Sequence, residues 1–170
     1  MFESYEILDF LEFQNDGKRH FHINRLDEMP ELPAKIKSPH KHLFYEVFLI
    51  TQGKANHNID YKEYRIRAKS LFFISQGQLH LWSKSDRSAI KGYRLMFTEE
   101  FFLIKNSDKN FLFELVFLDN VYFNPCIKLT KKDAEPMRIY FNLLFIEYHR
   151  LEPNPKVLQS WLLRALTDIQ

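Results

Sequence analysis

The sequence predicts a mainly β fold closed by a helical C-terminal segment. Three observations lead there. Between residues 21 and 97, short runs rich in aromatic and β-branched residues recur with turn signals between them, the pattern of a sandwich or barrel. Gly53, Gly77 and Gly92 each fall at a boundary between such runs, where a turn needs φ > 0. Beyond Thr98 the apolar period lengthens toward 3.6.

The β elements follow in order. FHINRL (21–26) alternates, and HLFYEVFLI (42–50) is dense in aromatic and branched residues. ANHNID (55–60), YRI (64–66), SLFFI (70–74), LHLWSK (79–84) and GYRLMF (92–97) complete the set. Thr98 before EEFF predicts a short capped helix, while 108–118 reads equally as helix or strand. Thr130-Lys-Lys-Asp133 resembles a capping box with Asp in the usual Glu place, so a long helix is expected to about Leu151. Asn154-Pro155 supplies a cap and a first-turn proline for a last helix.

The helices carry more apolar surface than one contact needs. At roughly 100° per residue, Met137, Tyr140, Phe141, Leu144, Phe145 and Tyr148 form a broad stripe, and Ile139, Leu143 and Ile146 a narrower one nearly opposite. A surface helix of a monomer needs one apolar face. The broad stripe is expected on the β domain and the narrow one on a second subunit, with Trp161 and Leu162 of the last helix joining the dimer interface. WLLRALTDIQ runs to Gln170 with no glycine cap, proline or polar tail, which reads either as a chain that ends in a helix or as a segment of a longer protein.

Bulk properties exclude several classes. The 170 residues carry a net charge of +2 with basic and acidic residues interspersed, so no lysine-arginine block marks a nucleic-acid surface. Cys126 is the lone cysteine, so no intrachain disulfide or multi-cysteine zinc site forms; a cytoplasmic location fits. The acidic N-terminus is not a signal peptide. The longest apolar runs are too short to span a bilayer, and no membrane partner is expected. Aromatics at 16% suit aromatic-rich strands or an apolar cavity.

The chemistry concentrates in PHKHLFYEVFLITQG (39–53). On one strand His40, His42, Phe44, Glu46 and Phe48 share a face, and Tyr45 takes the other, where it packs. Two imidazoles and a carboxylate suit Mn, Fe, Ni or Zn, and they equally suit hydrogen bonds to an effector or within a core. Glu46 lies about 13 Å along a straight strand from His42, so only curvature brings both to one point. His80 must join from another strand, with Trp82 beside it on the same face. Asp60 reads as turn chemistry, and no histidine-acid pair can be assigned to Cys126.

The pattern H-x-H-x3-E-x6-G from His40 to Gly53, followed by ISQGQLH with Gly77 three residues before His80, resembles the two motifs of the cupin superfamily. The departures are Ala34 for an upstream glycine, Ser75 for a proline and Lys84 for an asparagine. The wider set of I-D-Y-x2-Y-x-I, L-F-F-I-S-x-G-Q-x-H-x-W and G-Y-x-L-x-F-T-E-E-F-F resembles the N-terminal sensor domain of AraC/XylS-type transcription regulators, closely over residues 20–105. The resemblance implies a cupin-like double-stranded β-helix (jelly-roll) barrel followed by an antiparallel helix pair. It divides the chain into an N-terminal arm and barrel (1–125) and a helical dimerisation segment (126–170), with a DNA-binding helix-turn-helix domain absent from this chain. It also implies a regulatory homodimer, not an enzyme, that takes a small-molecule effector, a sugar or small acid among the candidates. The expected ligand-binding residues are His40, His42, Phe44, Glu46, His80 and Trp82. No catalytic residue and no cofactor are expected; were a divalent transition metal held, its ligands would be His40, His42, Glu46 and His80. The competing reading is a metal-dependent cupin enzyme of the dioxygenase or isomerase type.

Overall fold

The computed structural model describes residues 5–10, 20–29, 37–82, 90–103, 111–119 and 123–169. The positions of Ala34, Lys84 and Gln170 lie outside these, as do residues 1–4 and 108–110. Among the described residues the strands are β1 (Glu6–Leu8), β2 (Phe21–Arg25), β3 (His40–His42), β4 (Tyr45–Gln52), β5 (Lys54–Ile59), β6 (Lys62–Arg67), β7 (Ser70–Ile74), β8 (His80–Trp82), β9 (Lys91–Phe97) and β10 (Cys126–Lys128). Three short helices, α1 (Glu99–Leu103), α2 (Phe111–Glu114) and α3 (Val116–Asp119), precede the long α4 (Lys131–Tyr148) and α5 (Pro155–Thr167). The ambiguity over 108–118 thus resolves to helix where the chain is described.

Two five-stranded sheets face one another in a cupin-like barrel. One has the order β1-β3-β8-β5-β6, the other β10-β7-β4-β9-β2. The second sheet is buried on both faces, which is why YEVFLI and SLFFI read as continuous apolar runs. Its outward residues Val47, Leu49, Phe73 and Leu95 share a core with the broad α4 stripe and with Leu158, Leu162 and Ala165 of α5. Its inward residues Phe48, Ile50, Phe72 and Ile74 meet Ala55, Ile59 and Ile66 of the first sheet inside the barrel.

The one long strand expected over 42–50 is broken. β3 ends at His42, the chain bends at Leu43 and Phe44, and β4 starts at Tyr45 in the opposite sheet. The chain therefore changes sheets between the two histidines and the glutamate. At Gly92, φ is +145° and a Cβ would fall 1.8 Å from the Leu49 carbonyl oxygen, so only glycine lets β9 lie this close to β4.

Both long helices start where their caps predict. The Thr130 hydroxyl accepts the Asp133 N–H at 3.3 Å, and the Asn154 side chain accepts the Lys156 N–H at 3.0 Å. Helix α4 ends at Tyr148, three residues short of Leu151, and its last turn is tied down when Glu147 accepts the Asn154 N–H at 2.8 Å. That bond, and Tyr140 donating to Asp168 at 2.8 Å, make the pair antiparallel.

Two expectations need correction. The boundary at 125/126 cuts off β10, which pairs with β7 (Cys126↔Phe72, Lys128↔Ser70), so the barrel extends through Lys128. Leu162, placed on the dimer face, is only 1% exposed and sits in the helix–sheet core. No helix among the described residues is long and apolar enough to cross a membrane.

Candidate functional site

The polar residues of the motif converge inside the barrel. His42 is 0% exposed and Glu46 1%, and His40, His57, His80 and Arg94 are buried with them. The sheet switch at Leu43–Phe44 achieves what a straight strand could not. It folds Glu46 back over His42, leaving Glu46 Oε2 3.4 Å from His42 Nε2. His80 arrives from β8, whose position is set by backbone bonds: Gly77 N–H donates to the His42 carbonyl at 2.9 Å, and His40 pairs with His80 across the ladder. Asp60, expected as turn chemistry, braces the same loop. Its carboxylate accepts the Leu79 N–H at 3.1 Å and the Gln78 side-chain amide at 3.0 Å. Ser75, in place of a proline, keeps an N–H that donates to Gln78 Oε1 at 2.7 Å, and its hydroxyl donates to the Leu118 carbonyl.

One atom each of His42, Glu46 and His80 lies within 4.8 Å of the others. His40 does not complete that set. Its Nδ1 is bonded to the Ser38 carbonyl at 2.9 Å, and its ring lies against His80 with centroids 4.3 Å apart. Phe44 stacks flat on His42 at 4.1 Å, and Trp82 is half-buried against Phe48 and His57. All six ligand-binding candidates are thus in or beside one cluster.

Two members were not singled out from sequence. Arg94 donates from Nε to Glu46 Oε1 at 2.5 Å and from its second guanidinium nitrogen to the same oxygen. His57 Nε2 lies 3.1 Å from His80 Nδ1, which turns the other nitrogen of His80 toward the cluster. Strand alternation carried a faint signal for both: Arg94 falls opposite Tyr93 and Leu95, and His57 lies between inward-facing Ala55 and Ile59.

The electrostatics follow from burial and charge. Burial alone would raise the Glu46 pKa, but the Arg94 guanidinium and the His42 ring hold it well below the usual carboxylate range. Burial, reinforced by neighbouring imidazoles, pushes His80 well below its ordinary value, and burial lowers His40 too. The site therefore combines an ionised carboxylate at Glu46 with neutral imidazoles at His40 and His80. His42 Nδ1 and His80 Nε2 are buried with no hydrogen-bond partner among the described residues. Cys126 is half-buried with its thiol pushed up by burial, the opposite of an activated nucleophile.

Residues 31–103 match the family model described as the AraC-like ligand binding domain. No curated protein sequence matches the chain. Among solved structures, apo ToxT from Vibrio cholerae shares 16% identity at a TM-score of 0.48, over 86% of this chain and 54% of that one. The AraC-like transcriptional activator CuxR shares 12% at 0.46, over 87% and 49%. A Cupin 2 conserved barrel domain protein from Salinispora arenicola shares 16% at 0.32, over 45% and 75%. The chain spans about half the length of ToxT and CuxR.

Removing one partner of a buried ion pair strands the other. Arg94→Met is expected to lower unfolding stability by about 3–5 kcal/mol in urea titrations, while the double variant Glu46→Leu, Arg94→Met recovers most of it. A single-variant loss below about 1 kcal/mol, the value of an exposed pair, would contradict the buried assignment.

Proposed function

Because residues 31–103 match the AraC-like ligand binding domain, we propose that this chain is the effector-sensing and dimerising domain of a transcription regulator, acting in the cytoplasm with its small molecule held inside the barrel. The observation that carries this is a charged, partly unpartnered cluster enclosed by apolar walls. Among the described residues His42 Nδ1 and His80 Nε2 have no hydrogen-bond partner, and a buried polar atom gains most from a ligand that supplies one. Glu46 accepts from ligand hydroxyl groups and imidazole N–H groups donate to hydroxyl or carboxylate oxygens, so a sugar or small acid fits, while Phe44 and Trp82 cover apolar surface. Sequence-specific DNA reading would fall to a helix-turn-helix domain not contained in these residues.

A cognate effector raises stability by mass action, about 2.7 kcal/mol at a hundredfold excess over its dissociation constant. A thermal-shift screen of sugars and small acids should find hits whose shift is lost in Glu46→Gln and in Trp82→Ala. A hit bound equally by both variants would remove the effector from this site.

The donor set also favours a second reading, a metal-dependent cupin enzyme. His42, Glu46 and His80 offer two imidazole nitrogens and a carboxylate, with His57 orienting His80 from behind. Such residues fit a divalent transition metal, which would polarise a substrate oxygen when bound. Opposing this, the Arg94 cation already bonds the only carboxylate of the set. Elemental analysis is expected to find no stoichiometric transition metal. About one Fe, Mn, Ni or Zn per chain, lost in His42→Ala, would favour the enzyme.

Dimerisation is proposed on the narrow stripe of α4. Ile139 is 44% and Ile146 54% exposed, with half-buried Leu143 between them. Trp161, the other residue expected at this interface, stacks on Tyr140 within the chain. An apolar strip of this kind suits a two-fold contact, which uses the same patch twice. Sedimentation at micromolar concentration should show a dimer that Leu143→Glu dissociates. A monomeric wild type would end the proposal, and an unchanged dimer in Leu143→Glu would move the interface elsewhere.

A further inference from the structure

Six basic residues, three of them within residues 65–69, are gathered by the fold at one corner of the barrel. Lys54 on β5 lies directly opposite Arg67 on β6, and Arg65 shares their outward face two residues on, about 7 Å along the strand. The hairpin end continues into Lys69, whose N–H donates to the Ile50 carbonyl at 2.8 Å and whose carbonyl accepts the Leu129 N–H at 2.8 Å. That bond brings Lys128 and the start of α4, with Lys131, alongside. All six cations are exposed.

The arrangement works against the stability of the chain itself. Like charges directly opposite on a ladder repel, as Lys54 and Arg67 do. Lysine in the first turn of a long helix adds to the positive end of its dipole, as Lys131 does. Nor are these charges neutralised internally. Arg25, Arg94, Arg138, Arg150 and Arg164 bond Glu28, Glu46, Glu135, Glu147 and Asp168 respectively, whereas Arg65 and Arg67 meet no carboxylate among the described residues. Glu63 follows Arg65 on the same face, two residues nearer the turn and opposite Asn58, without an ion pair to it, and Asp133 is bonded to Thr130.

We propose that this corner docks the phosphate backbone of duplex DNA without reading its sequence. Unpaired cations with two arginines at strand spacing match a line of phosphates, which arginine binds through paired N–H groups. The surface offers no apolar anchor of the kind a protein partner requires: no exposed large hydrophobic side chain lies on β5, β6 or β10. Asn56 and Asn58 on the same face are polar, as in interfaces that contact the DNA backbone. The inference does not depend on what occupies the barrel.

The test is fluorescence anisotropy of a labelled duplex of arbitrary sequence with the 170-residue chain, starting at about 50 mM salt. Binding should weaken steeply as salt rises and vary little with sequence. Arg65→Ala with Arg67→Ala should weaken it and reduce the slope of log K against log salt by about two. Arg138→Ala with Arg150→Ala, two exposed but internally paired arginines, should leave it unchanged. No binding by the wild type at low salt, or equal binding and slope in the Arg65/Arg67 variant, would overturn the proposal. So would tighter binding of labelled polyglutamate than of the duplex, which would make the partner an acidic protein.

Discussion

The rest of the site depends on burying one carboxylate inside an apolar barrel. An unpaired charge there would cost several kcal/mol or take up a proton. Glu46 avoids both because Arg94, two residues off its register partner Met96 on the adjacent strand, bonds it through two nitrogens. One carboxylate oxygen is thus committed to Arg94 while the other faces His42. That division makes the cluster polar without leaving it a net buried anion. The same arginine that stabilises the carboxylate would also compete with any cation for it.

The geometry around that pair comes from the two-sheet architecture. His42 and His80 belong to one sheet, and Glu46 and Arg94 to the other. The constellation therefore exists only when the sheets close on one another. The braces on the 75–80 turn, from Asp60, Gln78 and the Gly77 N–H, hold His80 at the closing seam. A ligand bridging His42 or His80 to Glu46 would bridge the sheets as well. Because the second sheet packs its other face on α4 and α5, a change in barrel closure would be felt by the helices that carry the exposed Ile139–Leu143–Ile146 strip.

Most of the fold is legible in the sequence because burial on two faces leaves continuous apolar runs, and helix starts are written in local chemistry at Thr130 and Asn154. The resemblance to AraC-type sensor domains identified the barrel residues, and all six lie in or beside the cluster. The bend at Leu43–Phe44 was not legible, since aromatic residues continue through it without glycine or proline. Leu162 was misplaced because an apolar stripe does not say which apolar surface it meets.

By itself, then, the sequence determined element types, the inward faces of strands and the residue types available for chemistry, because these follow from side-chain period and local hydrogen bonding. Tertiary structure alone decided three things. It folded Glu46 onto His42 by a change of sheet, supplied Arg94 and His57 as partners, and brought Lys54 and Lys128 beside Arg65, Arg67 and Lys69. The physical reason is common to all three. Coulombic and hydrogen-bonding neighbours act over a few ångströms of space, and strand pairing sets that space between residues far apart along the chain.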